Sequence, residues 1–339
     1  MSEINRQWCL ARRPVGTIET KDLEWREEPL SALGQGDVRV RHIYLSLDPT
    51  NRIWMSDMDQ YMPPVDIGEV MRGGTLGVVE ESLDPSLNPG DIVTGLGGWQ
   101  DYFTGPAKDL SKTTPPAGVP LPALMSILGL TGLTAYFGLL DIGRPKQGET
   151  VVVSAAAGAV GSIAGQIAKI KGCRVVGIAG SDEKCRWITD DLGFDGAINY
   201  RTENIQDRLS TLCPDGIDVD FENVGGEILD TVLTQINLNA RIVLCGLISG
   251  YNATEPVPGP YHFVNILMKR AIVQGFIILD FASRFPEGVA ALAQWLAEGR
   301  LKYKVDVVAG LENAPTAISR LFTGGNTGKL LVQVSPEPQ

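Results

Sequence analysis

The segment Val151–Gly165 brings together residues that could bind a dinucleotide. A β-branched apolar run leads into small residues, and glycines follow at positions 158, 161 and 165. This pattern is typical of a strand, a tight turn and a helix N-terminus, where backbone N–H groups and the helix dipole bind a pyrophosphate. A small-residue turn in another kind of α/β protein is the alternative. A second strand follows at the spacing of a βαβ unit, so we predict dinucleotide binding.

The end of that second strand indicates which dinucleotide is bound. An NAD-binding unit usually has an acidic residue at this tip, about 20 residues after the glycines. Here the tip is Gly180-Ser181, and acidic residues come only after it. Lys184 and Arg186 follow closely, and the next strand ends beside Tyr200. Cations and hydroxyls suit an extra 2′-phosphate, so we predict NADP(H), the alternative being that Lys184 and Arg186 only solvate a helix start.

Residues that could bind a catalytic metal are few. The two histidines, His42 and His262, do not lie at ligand spacing from a cysteine. The cysteines are Cys9, Cys173, Cys185, Cys213 and Cys245. Their odd number and scattered positions fit thiols in a reducing cytoplasm, and we predict no metal site. Without a Lewis acid, an acceptor that takes hydride unaided, such as a conjugated enone, is favoured.

The elements that position these residues change in character along the chain. Residues 1–120 show short alternating segments separated by Gly, Pro and Asp, which are typical of a bent sheet or barrel. From about Leu124, apolar helical stretches alternate with predicted strands at 151–154, 174–179, 196–199, 217–221, 240–245 and 272–278. We predict an α/β fold: a β-rich, barrel-like domain (1–122 plus 304–339) and a doubly wound parallel Rossmann sheet over 123–303.

The length and charge of the chain indicate its number of domains and the kinds of partner that it does not bind. A chain of 339 residues favours two domains. The net charge of −11 argues against binding nucleic acid or an anionic membrane surface. The polar N-terminus has no signal-peptide core, and no run reaches the roughly 18 apolar residues of a membrane span. We expect a cytoplasmic protein.

Several motifs together resemble one family over nearly the whole chain. They are Tyr44–Pro49, Pro63–Gly68, Gly132–Leu140, the turn at 155–161, Glu222–Gly226, Cys245–Asn252, Gln274–Ile277 and Gly324–Lys329. These motifs resemble the zinc-independent medium-chain dehydrogenase/reductases, in the branch of curcumin, prostaglandin (leukotriene B4 dehydrogenase) and plant alkenal double-bond reductases. The resemblance implies a GroES-like first domain, a homodimer, and NADPH-dependent reduction of the carbon–carbon double bond of α,β-unsaturated aldehydes and ketones.

The resemblance also implies which residues contact the cofactor. The pyrophosphate is expected at Ala157, Gly158, Ala159, Val160 and Gly161. Lys184 and Tyr200 are expected at the 2′-phosphate, in agreement with the electrostatic argument above. The remaining expected contacts are Asn223, Cys245, Gly246, Leu247, Ile248, Ser249, Tyr251, Phe276, Ile277, Ile278 and Asn326.

The expected chemistry needs a donor for the enolate oxygen that forms when hydride reaches the β-carbon. A tyrosine hydroxyl stays protonated at neutral pH and can donate. Tyr61 matches the family's substrate-facing tyrosine and is our first candidate, with a surface-packed tyrosine as the alternative. Tyr251 is second and more suited to ordering the cleft, while Tyr261 and Tyr136 are weaker. Thr50 stands where the family commonly has a tyrosine, which is the one departure from its pattern.

The sequence leaves two questions open. Trp54, Met55, Met58 and Met62 lie close to Tyr61 in sequence and either adapt to bulky apolar substrates or provide ordinary packing between domains. The predicted activity is NADPH-dependent enone or alkenal reduction. The alternatives are an NADPH quinone reductase, a dehydrogenase of an activated alcohol, and a cofactor-binding protein without turnover.

Overall fold

The computed structural model describes residues 4–338, which divide into two compact units. The first unit contains the described residues up to Met125, together with Val305–Asn326 and the residues from Leu330 onward. The second unit contains Ser126–Lys304 and Thr327–Lys329. Each unit buries a hydrophobic cluster of its own.

The described residues form fifteen strands and ten α-helices. The strands are β1 (Ile4–Leu10), β2 (Leu23–Pro29), β3 (Asp37–Ser46), β4 (Thr75–Ser82), β5 (Ile92–Gly95), β6 (Tyr102–Pro106), β7 (Leu110–Lys112), β8 (Thr150–Val153), β9 (Arg174–Ala179), β10 (Gly196–Asn199), β11 (Ile217–Glu222), β12 (Ile236–Leu244), β13 (Ile272–Gly275), β14 (Val305–Ala309) and β15 (Lys329–Gln333). The helices are α1 (Thr50–Trp54), α2 (Leu130–Phe137), α3 (Gly161–Ile170), α4 (Asp182–Arg186), α5 (Ile205–Leu212), α6 (Gly226–Leu233), α7 (Val264–Lys269), α8 (Phe285–Ala297), α9 (Ala314–Ala317) and α10 (Ser319–Thr323).

The first unit is built mainly on antiparallel strands. Seven strands form one sheet in the order β14-β15-β3-β4-β5-β7, with β6 also paired to β3, and β1 and β2 form a separate ribbon. In β3, Val38 and Val40 are buried, while Arg39 between them forms an ion pair with Glu81 on β4. The residue types alternate with the period of two that a strand imposes on its side chains, although Arg39 is buried as well.

The second unit is a parallel sheet in the order β10-β9-β8-β11-β12-β13, with helices packed on it, as predicted from the alternation of strands and helices. The central strand β8 is buried along its whole length, which explains its unbroken apolar sequence. Gly165 of α3 permits close packing on the sheet, because a Cβ there would lie 1.9 Å from the Phe194 ring. The predicted α/β fold class is confirmed.

Two predicted strands differ in extent from the observed ones. The strand predicted at 240–245 begins at Ile236, where it pairs with Ile217 before a register shift in β11. The strand predicted at 272–278 ends at Gly275. It ends there because its partner strand β12 ends at Leu244, which pairs with Gly275.

Candidate functional site

The glycine-rich turn between β8 and α3 is shaped by close backbone contacts. Ala155 has a φ of 46°, and its carbonyl accepts the Gly158 N–H at 2.8 Å. A Cβ on Gly161 would lie 2.6 Å from the Ala155 carbonyl oxygen, so glycine is needed where α3 begins. The first turn of α3 carries no acidic side chain. Its N-terminus therefore presents backbone N–H groups and the positive end of the helix dipole to an anion.

A second segment of the same unit, Thr327–Lys329, is paired to this turn. Gly158 and Gly328 form a parallel bridge, and the Gly328 N–H donates to the Ala157 carbonyl at 2.9 Å. The turn is thus held by residues about 170 positions away in sequence. Asn326, an expected cofactor contact, immediately precedes this segment and belongs to the first unit.

The tip of β9 gathers the residues predicted to bind a 2′-phosphate. Tyr200 lies over Gly180, where a Cβ would be 3.0 Å from the tyrosine hydroxyl oxygen. The Ser181 hydroxyl accepts the Lys184 N–H at 3.2 Å and caps α4, which places Lys184 beside the tip. Tyr200 is 41% exposed, and the Arg201 guanidinium lies 5.8 Å from its ring centroid. The structure therefore brings the Arg201 guanidinium and the Tyr200 ring together at this tip, with the Lys184 backbone next to it.

The acidic residue after the tip is directed elsewhere. The Asp182 carboxylate accepts the Asn199 side-chain N–H at 2.6 Å, which ties it to β10.

Lys184 also lines a cavity of about 290 Å³ that Trp187 and Lys304 border. The Lys304 ammonium lies 5.5 Å from the Trp187 ring centroid, a cation–π contact that sequence reasoning did not foresee.

A buried carboxylate, Glu222, organises the end of β11. Its Oε1 accepts the Ser154 hydroxyl at 2.6 Å and the Gly225 N–H at 2.8 Å. Ser154 in turn accepts the Asn223 N–H at 2.7 Å, and its carbonyl accepts the Asn223 side-chain amide at 2.7 Å. Burial raises the pKa of Glu222, while these hydrogen bonds oppose the shift. This network fixes Asn223, and sequence reasoning did not assign Glu222 or Ser154 a role.

The loop after β12 folds back on the same strand end. The Cys245 N–H donates to the Glu222 carbonyl at 2.9 Å, and the Ser249 hydroxyl donates to the Val224 carbonyl at 2.6 Å. The Tyr251 hydroxyl accepts the Leu247 N–H at 3.2 Å, so Tyr251 helps shape its own loop. Burial, with a smaller effect of Glu222, raises the pKa of the Cys245 thiol to about 12. A neutral thiol is a poor nucleophile.

The other candidate residues make separate contacts, although Phe276 follows Gly275, which pairs with Leu244 at the end of β12. Phe276 packs near Phe281, with ring centroids 6.3 Å apart, and precedes Ile277 and Ile278 at the end of β13. The Tyr136 ring is buried and its hydroxyl donates to Glu287 at 3.2 Å. Tyr261 is 84% exposed. Within residues 4–338, no group of His, Cys, Asp and Glu side chains could hold a metal ion.

The first unit contains a compact cluster around Tyr61. The Tyr61 hydroxyl lies 2.6 Å from the Thr50 hydroxyl and accepts the Trp54 indole N–H at 3.0 Å. Arg72 lies over the Trp54 ring, with its guanidinium carbon 5.5 Å from the centroid. The first two contacts join Tyr61 to both ends of α1. Thr50, noted in the sequence as a departure from the family pattern, is thus a direct partner of Tyr61.

The methionine-rich segment near Tyr61 is partly buried and partly exposed. Met55 is fully buried in the core of the first unit, and Met62 packs against that core. Met58 is 55% exposed.

No helix among residues 4–338 is long and apolar enough to cross a membrane.

Comparison with known proteins extends over both units. Residues 6–113 match the N-terminal domain of oxidoreductase, and residues 159–295 match the zinc-binding dehydrogenase family model. The chain is 46% identical to the NADPH-dependent curcumin reductase of Escherichia coli, over 98% of this chain and 97% of that protein. It is 40% identical to bovine prostaglandin reductase 1, over 97% of this chain and 98% of that protein.

A solved structure is similar to this chain in its fold as well as in its sequence. CurA from Vibrio vulnificus, crystallised in complex with NADPH, superposes with a TM-score of 0.93 at 44% identity. The match covers 98% of this chain and all of that chain. The likeness therefore includes both units and the glycine-rich turn.

Proposed function

Because the chain belongs to the medium-chain dehydrogenase/reductase family, in the branch of curcumin, prostaglandin and alkenal reductases, we propose that it reduces the carbon–carbon double bond of α,β-unsaturated ketones and aldehydes with NADPH. The observation that carries the proposal is full-length similarity to reductases of this chemistry, joined to a glycine-rich turn and a cationic tip that suit NADPH. The proposal places the enzyme in the cytoplasm.

The residues of the second unit fit NADPH. Gly161 lets the turn close tightly against the start of α3, where a Cβ would meet the Ala155 backbone, and the N–H groups of this helix N-terminus suit a pyrophosphate. Lys184 and Tyr200 supply a cation and a hydroxyl for the 2′-phosphate. Asn223, held by Ser154, supplies an amide at the end of β11. When bound, NADPH supplies the hydride for the β-carbon of the substrate.

The substrate's carbonyl oxygen needs a hydrogen-bond donor as it becomes an enolate. We assign this role to Tyr61. The residue is 43% exposed, and its hydroxyl contacts two neighbouring side chains. A donor aimed at developing charge contributes about 10²-fold to 10³-fold in rate. Tyr251 is assigned to ordering the cofactor loop, because its hydroxyl already accepts a backbone N–H there.

The proposal is tested with purified protein, NADPH and a panel of enones, alkenals, quinones and alcohols. We expect saturated carbonyl products from enones and alkenals. Tyr61→Phe should lower kcat on an enone about 10²-fold while the NADPH affinity stays unchanged. Tyr261→Phe is the matched control, since this tyrosine is highly exposed, and it should keep full activity. Turnover only on quinones or alcohols would contradict the proposed reaction.

We also propose that the enzyme is a homodimer. All four residues of the edge strand β13 are exposed, and Phe263 and Leu267 on the preceding segment are 63% and 70% exposed. An exposed apolar edge strand is a pairing surface that proteins usually cover. Val273→Lys should yield a monomer by light scattering, while Val15→Lys, at another exposed valine, should not. A monomeric wild type would overturn this proposal.

A further inference from the structure

The Tyr61 oxygen has two partners that restrict where its proton can point. A tyrosine oxygen can donate one hydrogen bond and accept two. The Trp54 indole N–H can only donate, so it occupies one acceptor position at 3.0 Å. The Thr50 hydroxyl, at 2.6 Å, can occupy the other. When Thr50 donates, the Tyr61 proton is directed away from both partners and is available to a substrate.

The two partners of the Tyr61 hydroxyl lie on one short helix that buried contacts hold in place. Thr50 and Trp54 are four residues apart on α1, so both side chains lie on one face of the helix. Asn51 between them is fully buried, accepts the Asp48 N–H at 2.7 Å and donates to the Arg72 carbonyl at 3.1 Å. Trp54 is itself 7% exposed. The two donors are therefore fixed before any substrate arrives.

A positive charge reinforces the indole donor. The Arg72 guanidinium lies over the face of Trp54 at 5.5 Å, and one of its N–H groups donates to the Pro63 carbonyl at 2.8 Å. A cation on the ring face draws electron density from the indole and makes its N–H a stronger donor.

We propose that Thr50 and Trp54 form a two-donor site that positions the Tyr61 hydroxyl and stabilises its oxygen as the proton leaves. The inference rests on the proposed enone reduction. Hydride addition to the β-carbon moves the double-bond electron pair onto the enolate. Tyr61 then breaks its O–H bond and gives the proton to the enolate oxygen, forming an enol that tautomerises in water to the saturated carbonyl compound. The tyrosinate left behind is held by both donors and takes a proton back from solvent, to which Tyr61 is open.

The central variant is Thr50→Val, which removes the hydroxyl and keeps the side-chain shape. A hydrogen bond to a charged group is strong enough that its loss should lower kcat about 10-fold to 100-fold. The NADPH affinity and the thermal unfolding temperature should stay close to wild type. Thr50→Ser restores the hydroxyl and should recover most of the activity. Equal kcat in Thr50→Val and wild type would overturn the inference.

A double-mutant cycle separates positioning from a general structural effect. In a Tyr61→Phe background, Thr50→Val should cause no further loss of kcat, because the oxygen it supports is gone. Independent, multiplicative losses would show that Thr50 acts elsewhere and would overturn the inference.

A readout independent of activity is the indole N–H signal of Trp54 in a proton–nitrogen NMR spectrum. The signal is assigned by its absence in Trp54→Phe, and it should move to a lower proton chemical shift in Tyr61→Phe as its acceptor is lost. An unmoved signal would contradict the contact itself.

Failure of the inference can be told from failure of the proposed function. If the wild type reduces no enone, the proposed function fails. If the wild type is active and Tyr61→Phe is impaired while Thr50→Val is not, the proposed function stands and only the two-donor site is refuted.

Discussion

Replacing Asp220 with valine is expected to stabilise the second unit, although the change removes a charged residue type from its central sheet. Asp220 is fully buried on β11, and both carboxyl oxygens lack a hydrogen-bond partner among the described residues. Its cross-strand neighbours are Val152 on β8 and Ile242 on β12, both buried. Valine fits such a position because a β-branched side chain packs well between neighbours of its own kind.

The magnitude follows from the cost of the unpaired group. A buried polar group without a partner costs about 1–3 kcal/mol, and Asp220→Val should recover an amount in this range. Burial, and secondarily the neighbouring Glu222, raises the pKa of Asp220 well above its ordinary value. The folded state therefore holds this proton more tightly than the unfolded chain, and wild-type stability falls as pH rises from about 4 towards the raised pKa. The advantage of the valine variant should grow over the same range.

Urea unfolding followed by circular dichroism, at about pH 5.5 and about pH 8, measures this effect. Asp218→Val is the matched control on the same strand. The Asp218 carboxylate accepts the Thr150 N–H at 2.9 Å and the Asn237 side-chain N–H at 2.8 Å, so its loss should destabilise the unit. A less stable Asp220→Val protein, or an advantage that shrinks as pH rises, would refute the reasoning.

Two further predictions concern the dinucleotide site. Gly161→Ala should weaken NADPH binding at least about tenfold, measured by calorimetry, because its Cβ would lie 2.6 Å from the Ala155 carbonyl oxygen. Gly259→Ala, which meets no atom within 4 Å, is the control and should bind normally. Lys184→Ala should weaken NADPH about 10-fold to 100-fold and leave NADH binding nearly unchanged. Equal losses for both cofactors would place Lys184 away from the 2′-phosphate.

Some parts of the fold could be predicted from short stretches of the sequence. Val151–Val153 could be recognised as a buried parallel strand because both of its faces are covered, which leaves no polar alternation. Gly161 could be recognised because it excludes a side chain for a steric reason within one βαβ unit, whereas the contact of Gly165 with Phe194 reaches beyond β9. The end of β13 at Gly275 was harder to predict, since it depends on where its partner strand β12 ends, at Leu244.

The candidate site was less predictable because its contacts join distant segments. The pairing of Gly328 with the glycine-rich turn has no local signal. Glu222 ends β11 three residues before the glycine pair at 225–226, and an acid at that position could have indicated a buried acceptor for the turn that follows. The contact of Tyr61 with Trp54 depends on the path of the loop between them, which residue types alone do not determine.

The central claim is that hydride reaches the β-carbon of a conjugated carbonyl compound. The most direct measurement is reduction of an enone with NADPH that carries deuterium at the transferable C4 position, followed by mass spectrometry and NMR of the product. We predict a saturated ketone with one deuterium on the β-carbon. Deuterium on the carbonyl carbon of an allylic alcohol, or no NADPH-dependent loss of any enone, would contradict the claim.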